Sequence, residues 1–247
     1  APKVEKQIIS FKNGLAELPQ LLVAALGEAV HANVSISSIQ KIRAGWRVDW
    51  NGKTHIYDEV LLTTPAHALN KLPLDESLQK ALQPLLKINY SPVSVLTLAF
   101  KQSDVDHPLD GFGVLVPEYE GRKILGVLFP ASLFASRAPA GEVLLTVFLG
   151  GERQAELAVP DKDTLLATVL PELKELFGTT GEPTFSHHRH WPRAIPQYNL
   201  GYGKMLAQMD AIEKKFAGLK LAGNYRDGIS LSYCIEAAVS KEGHLIA

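Results

Sequence analysis

The sequence predicts an α+β fold of two layered units sharing one chain that leaves the first unit and later returns to it. Three observations predict it. Helical and extended segments open the chain, a strand-rich middle begins at Tyr90, and a strand–turn–helix segment closes it. The middle carries apolar residues at a spacing of two, the period of a pleated strand. A chain of 247 residues with 46% apolar and 21% charged residues is long and apolar enough for one large domain or two small ones with a sizeable core.

The elements follow in order. Residues 13–30 read as a helix, with Asn13 as its cap, Pro19 in its first turn, and Leu18, Leu21, Leu22, Ala25, Leu26 and Ala29 at helical spacing. Two short extended runs, 33–36 and 39–43, come next. Trp46, Val48 and Trp50 alternate with Arg47 and Asp49, as in a half-buried strand, and Asn51-Gly52 marks a two-residue hairpin because both turn positions need positive φ. Residues 60–62 are continuously apolar, as in a strand covered on both faces. Residues 66–88 read as a helix in two pieces broken near Pro73.

From Tyr90, Val93, Val95, Thr97 and Ala99 alternate with Ser94, Leu96, Leu98 and Phe100. Runs 111–116, 124–129 and 142–149 read as further strands between turn-rich stretches. Residues 161–177 form a helix with one broad apolar face that Pro171 should kink or break. A strand over 182–191, a helix over 204–217, a short strand over 219–222 and a final helix over 230–240 complete the reading.

Charge and motifs exclude several functions. With 25 Lys+Arg against 26 Asp+Glu and formal net charge −1, no basic face speaks for nucleic acid. No apolar run approaches a membrane span, and no charged segment followed by an apolar stretch opens the chain as a secretory signal would. The single cysteine, Cys234, rules out an internal disulfide and points to a reducing compartment. Gly111-Phe-Gly113 and Gly201-Tyr-Gly203 each lack the third glycine of a GxGxxG turn, so no self-contained dinucleotide module is encoded. His187, His188 and His190 form an HHxH cluster whose second and third members would share a strand face, but no carboxylate or cysteine stands at matching spacing, and no metal is expected.

Two stretches carry chemistry. The strand at 219–222 runs through Gly223-Asn224 and Gly228 into a helix N-terminus, whose free N–H groups and positive dipole end suit a phosphate or an electron-rich carbonyl. Phe112 and Phe148 lie in glycine-flanked strand ends, Gly111-Phe112-Gly113 and Phe148-Leu-Gly-Gly151, where missing side chains would leave room for a flat ligand.

The order and spacing of these pieces resemble the C-terminal half of the FAD-dependent, oxygen-using protoporphyrinogen oxidases. The match runs nearly end to end: Phe11-Lys-Asn-Gly14-Leu15, Val60-Leu-Leu-Thr-Thr-Pro65-Ala66, Gly111-Phe-Gly-Val-Leu-Val-Pro117, Ile124-Leu-Gly-Val-Leu-Phe129, Arg137-Ala-Pro139, Leu144-Leu-Thr-Val-Phe148-Leu-Gly-Gly151, Trp191-Pro-Arg-Ala-Ile-Pro-Gln-Tyr198, Leu221-Ala-Gly-Asn224, Gly228-Ile229 and Cys234-Ile-Glu236. The resemblance implies the fold in fuller form: α+β, with a mixed or antiparallel substrate-binding sheet and helices, plus the partial second half of an FAD-binding α/β domain without its N-terminal GxGxxG βαβ unit. It implies a substrate-binding domain at 80–205 and a partial FAD domain at 1–79 and 206–247.

It implies oxidation of protoporphyrinogen IX to protoporphyrin IX in heme biosynthesis, with oxygen as acceptor. Coproporphyrinogen III oxidase, another amine-oxidase-superfamily flavoenzyme, and a non-catalytic porphyrin- or partner-binding domain stay open beside it. Phe112, Gly113, Leu115, Leu128 and Phe148 match substrate-lining positions, with Leu128 and Phe148 sandwiching a pyrrole ring. Val34 matches a position whose backbone meets the adenine and Trp191 one near the flavin, while Asn224, Ile229, Ser230 and Leu231 match the turn and helix end facing the phosphates and the isoalloxazine carbonyl. No catalytic residue is assigned.

The family's arginine for the substrate carboxylate and its helical membrane-docking region belong to the half not matched, and Ala237-Ala238 departs from the family's small residue and glycine. The expected partners are therefore the porphyrinogen, oxygen and an N-terminal half of the same protein, with a homodimer and peripheral attachment to the cytoplasmic membrane face compatible with a cytoplasmic location. Ala1 is expected to be a cut edge, and this chain alone is expected to hold FAD weakly or not at all and to be inactive.

Overall fold

The computed structural model describes residues 8–134 and 136–242, with the backbone alone for 240–242. The expected cut edge at Ala1, and the outermost parts of the two expected FAD-domain segments at 1–7 and 243–247, lie outside the described residues.

Along the chain come α1 (Glu17–Leu26), β1 (Ile36–Ile42), β2 (Gly45–Trp50), β3 (Lys53–Tyr57), β4 (Val60–Leu62), α2 (Glu76–Leu82), β5 (Tyr90–Lys101), β6 (Gly113–Leu115), β7 (Gly126–Leu128), α3 (Pro130–Leu133), β8 (Glu142–Gly150), α4 (Lys162–Phe177), β9 (Phe185–Pro196), α5 (Gly203–Lys215), β10 (Leu219–Leu221) and α6 (Leu231–Glu242). They form three sheets: β1-β2-β3, the pair β10-β4, and a five-stranded sheet in the order β6-β7-β8-β5-β9.

The hairpin at Asn51-Gly52 forms as its residues dictate, with φ of 49° and 72°. The extended runs at 33–36 and 39–43 resolve into the single strand β1, with an irregular register between Ile36 and Ser38, so Val34 sits in the loop before it. Strand β4 pairs in parallel with β10, which brings the end of the chain back to its beginning. Residues 66–88 are a 3-10 turn, Ala66–Lys71, then α2, then a second 3-10 turn, Gln83–Lys87. Asp75 caps α2 by accepting a hydrogen bond from the Leu78 N–H at 3.0 Å.

Apolar side chains gather in two buried clusters. One joins Trp46 and Val48 to Leu69, Leu78, Leu85, Met209, Leu219 and Tyr225. The other lies between the five-stranded sheet and α4, where Leu96, Leu98, Phe100, Val127, Leu145 and Val147 meet Leu165, Val169, Leu173 and Phe177. The second cluster follows from the period of each element: alternate residues of β5, β7 and β8 face one way, and the broad apolar stripe of α4 closes over them. Asp161 caps α4, accepting from the Asp163 and Thr164 N–H groups, and its bonds from Thr164 hold the carboxyl below the usual range.

Three details differ from the sequence reading and one, the exposure of α1, adds to it. The helix over 13–30 is capped at Ala16 rather than Asn13; the Glu17 carboxylate instead accepts from the Asn13 N–H at 3.1 Å. Helix α1 buries none of its residues, and Leu21, Leu22 and Leu26 are exposed. Leu61 of β4 is also exposed, so only one face of that strand is covered. Pro171 neither ends nor splits α4; it sits on the exposed side, where the carbonyl that loses its donor meets water.

Candidate functional site

The face of the five-stranded sheet opposite α4 is open. On it lies an apolar cavity of about 460 Å3, lined by Val93 and Val95 of β5, Leu115 of β6, Leu128 of β7, Phe148 of β8 and Trp191, Ala194 and Ile195 of β9, among others. Its floor is set by register. Leu115 stands opposite Gly126, Gly126 opposite Phe148, Phe148 opposite Val95, and Val95 opposite Arg189, one row crossing five strands. A second row runs from Gly113 through Leu128 and Thr146 to Thr97. Leu128 and Phe148 are thus diagonal neighbours on one face, about 7–8 Å apart by strand geometry.

Four residues singled out in the sequence, Leu115, Leu128, Phe148 and Trp191, therefore meet at one cavity. Phe112 and Gly113 adjoin it: Gly113 pairs with Leu128, and the Phe112 carbonyl accepts from the Phe129 N–H at 3.0 Å. Two glycines at this face also let strands come close. A Cβ on Gly113 would stand 2.3 Å from the Val127 carbonyl oxygen, and one on Gly126 2.5 Å from that of Val114, so both let neighbouring strands approach. Val93, Val95, Ala194 and Ile195 were missed, although the alternation along β5 already put both valines on one face.

A second, polar cleft of about 390 Å3 adjoins the first, lined by His67, Asn70, Lys87, Asn89, Tyr90 and Arg193 among others. Burial, followed by the charges of Arg193 and Lys71, holds His67 below the ordinary imidazole value, and its Nδ1 is buried without a hydrogen-bond partner. The Tyr90 hydroxyl accepts from the Ala66 N–H at 3.1 Å.

The candidate cofactor residues fall in three places. Asn224, Ile229, Ser230 and Leu231 follow β10, at the carboxyl ends of the parallel pair β4-β10, the side of an open parallel sheet where ligands bind. Ile229 and Leu231 are exposed. The Asn224 carbonyl accepts from the Tyr198 hydroxyl, and Ser230 Oγ accepts from the Tyr233 N–H at 3.2 Å, capping α6. Gly228 admits the Tyr233 ring, which a Cβ would meet at 2.8 Å, rather than a ligand. Trp191 belongs to the sheet cavity, and Val34 to the loop before β1.

The end of β4 and the turn after β10 also hold two buried hydroxyls without partners, Thr64 Oγ1 and Tyr225 OH. Unsatisfied polar atoms beside an open strand end and a helix N-terminus fit a polar cofactor with phosphates and carbonyls. Arg226 braces this turn, reaching Glu213 Oε1 at 2.5 Å and Asp210 Oδ1 at 2.8 Å.

Two members of the histidine cluster are engaged in local polar contacts. His188 and His190 do share a face, opposite Leu96 and Ser94, but that face is the α4 side. Ser94 Oγ donates to the Ala158 carbonyl at 2.6 Å and lies 2.9 Å from His188 Nε2, and His190 Nδ1 is 2.5 Å from the same carbonyl. Among the described residues no group of three His, Cys, Asp or Glu could hold a metal, and no helix is long and apolar enough to cross a membrane.

The three sheets carry an open parallel strand end and an apolar slot, and residues 3–241 match the family of flavin containing amine oxidoreductases, to which this chain belongs. The chain is similar to the mitochondrial protoporphyrinogen oxidase of Nicotiana tabacum, 37% identical over 185 residues, and to protoporphyrinogen oxidase 2 of Arabidopsis thaliana, 33% identical over 241 residues. The matches cover 73% and 92% of this chain but 37% and 47% of those relatives, so the chain spans about half or less of their length. A crystal structure from Exiguobacterium sp. 255-15 shares the fold at a TM-score of 0.79 and 22% identity, covering 96% of this chain and 51% of that one.

Proposed function

We propose that this chain supplies the porphyrinogen-binding sheet and part of the flavin site of an FAD-dependent protoporphyrinogen oxidase, which turns protoporphyrinogen IX into protoporphyrin IX in heme biosynthesis with oxygen as acceptor. The observation that carries the reading is the apolar cavity whose wall joins Leu115, Leu128, Phe148 and Trp191 on one sheet face. A flat macrocycle needs such a slot. Leu128 and Phe148 hold a pyrrole ring between them, and Phe112 and Gly113 close the wall beside it.

When bound, FAD supplies the oxidation itself, accepting hydride from the macrocycle. The chain's own residues bind and orient. Trp191 lies near the flavin at the edge of the slot. Asn224, Ile229, Ser230 and Leu231 border the phosphates and the isoalloxazine, and Val34 meets the adenine through its backbone. In this reading residues 80–205 are the substrate domain, and 1–79 with 206–247 are part of the FAD domain. An N-terminal half bearing the first βαβ unit covers Leu61 and the exposed apolar side chains of α1 and α6. A cytoplasmic site of action, with a homodimer and peripheral membrane docking, accompanies it.

The test is titration of this chain with protoporphyrin IX, following tryptophan fluorescence, with and without FAD and with an N-terminal half added. Porphyrin binding by the chain alone, with oxidation only in the reconstituted pair, is the expected result. Absence of porphyrin binding overturns the reading, and flavin retained stoichiometrically by this chain through gel filtration overturns the assignment of the main phosphate contacts to another half.

A further inference from the structure

The row of residues that floors the cavity continues past its lining onto the edge strand β9. Its fifth member is Arg189, directly opposite Val95 and on the same sheet face as Phe148 two strands away. At about 4.8 Å between strands, its backbone lies about 10 Å from that of Phe148, within reach of an arginine side chain that leans toward the slot.

The guanidinium is held. Its Cζ lies 4.6 Å from the centre of the Trp191 ring, and Trp191 itself lines the cavity. A cation–π contact restrains a guanidinium while leaving its N–H donors available to a further partner. Arg189 is exposed, and among the described residues it forms no ion pair. The other arginines with carboxylate partners, Arg47, Arg122 and Arg226, are bound in structural pairs.

We infer that Arg189 binds a carboxylate side chain of the tetrapyrrole at the β9 end of the slot and so selects carboxylated macrocycles over neutral ones. This rests on the reading of the cavity as the macrocycle site. The logic is a division of labour. The slot has almost no polar surface, so it gives affinity without distinguishing one edge of a flat ring from another. A guanidinium fork at the β9 end, in addition to the arginine expected from the other half, supplies that distinction for one edge, since planar guanidinium and carboxylate match in a two-bond geometry. The row position puts the anchor beside the wall, against Trp191: rotation of the ring that removed the carboxylate from Arg189 would also lift it from Phe148 and Val95.

The test compares protoporphyrin IX with its dimethyl ester, in matched detergent, on the wild-type chain, Arg189→Gln and Arg189→Lys. In Arg189→Gln the diacid is expected to bind about fivefold more weakly, as for a partly exposed charge pair, with the diester unchanged. Arg189→Lys recovers part of the loss, because it keeps charge without the fork, and added salt erodes the diacid's advantage in the wild type and in Arg189→Lys but not in Arg189→Gln. Equal weakening of both ligands makes Arg189 a prop for Trp191 and overturns the inference, as does no change with either. Failure of the wild type to bind either porphyrin instead overturns the macrocycle reading, and this inference with it.

Discussion

The two hydrophobic clusters of this chain are closed to different degrees. Around the five-stranded sheet, one face is sealed by α4, and the residues beneath it, from Leu96 to Phe177, are nearly inaccessible. Around β4 and β10 the interior is equally tight at Trp46, Leu78 and Tyr225, yet α1, Leu61 and the start of α6 carry apolar side chains into solvent. Exposed apolar surface of that extent calls for a cover. The contrast teaches where the chain is self-sufficient and where it depends on something else, and substitutions can test it.

The largest effect belongs to the sealed sheet. Phe100→Ala, in a side chain with no exposure, should lower unfolding free energy by about 3–5 kcal/mol in urea titration. A loss below ~1 kcal/mol would mean that α4 does not close this core. Next comes the cavity wall. Gly113→Ala puts a Cβ against the Val127 carbonyl at a φ of 150°, and should cost about 2 kcal/mol together with most porphyrin binding.

In the other cluster, Arg226→Gln leaves Glu213 half-enclosed without its cation, and a loss of about 1–3 kcal/mol is expected. Tyr225 sharpens the comparison through pH. Burial, followed by the neighbouring Tyr90, pushes its phenol above the usual value. Above about pH 10 the unfolded chain releases a proton that the folded chain keeps, so stability falls as pH rises. Tyr225→Phe removes that loss: its advantage over wild type in thermal melting should grow steadily above that pH. The smallest effect is at α1, where Leu21→Ala should move stability by less than ~0.5 kcal/mol, the mark of a surface position. A larger loss would show that α1 is already packed in this chain alone.

Much of this was legible in the sequence. Asn51-Gly52 specified its hairpin because few residues tolerate positive φ, and α4 announced itself by a stripe of leucines and by Asp161. Within the candidate site, Leu115, Leu128 and Phe148 were singled out; the alternation of β5 put Val93 and Val95 on one face without saying what they face, and nothing local marked Arg189. Their partners lie on other strands, and cross-strand register is fixed by pairings that no local pattern encodes. The same limit explains the glycines: sequence marks where a side chain is missing, while only the neighbouring carbonyl shows what fills the gap.

The apolar stripe of α1 was legible in its spacing, and the structure leaves it exposed. Periodicity says that a helix has an apolar side; whether anything covers that side is decided by the rest of the protein. Strand β5 makes the same point in a single element. Its sequence determined two apolar faces, Val93, Val95 and Thr97 on one and Leu96, Leu98 and Phe100 on the other. Only the tertiary structure decided that α4 packs on the second and leaves the first open as a cavity, because the choice depends on where a helix some sixty residues further along returns to the sheet.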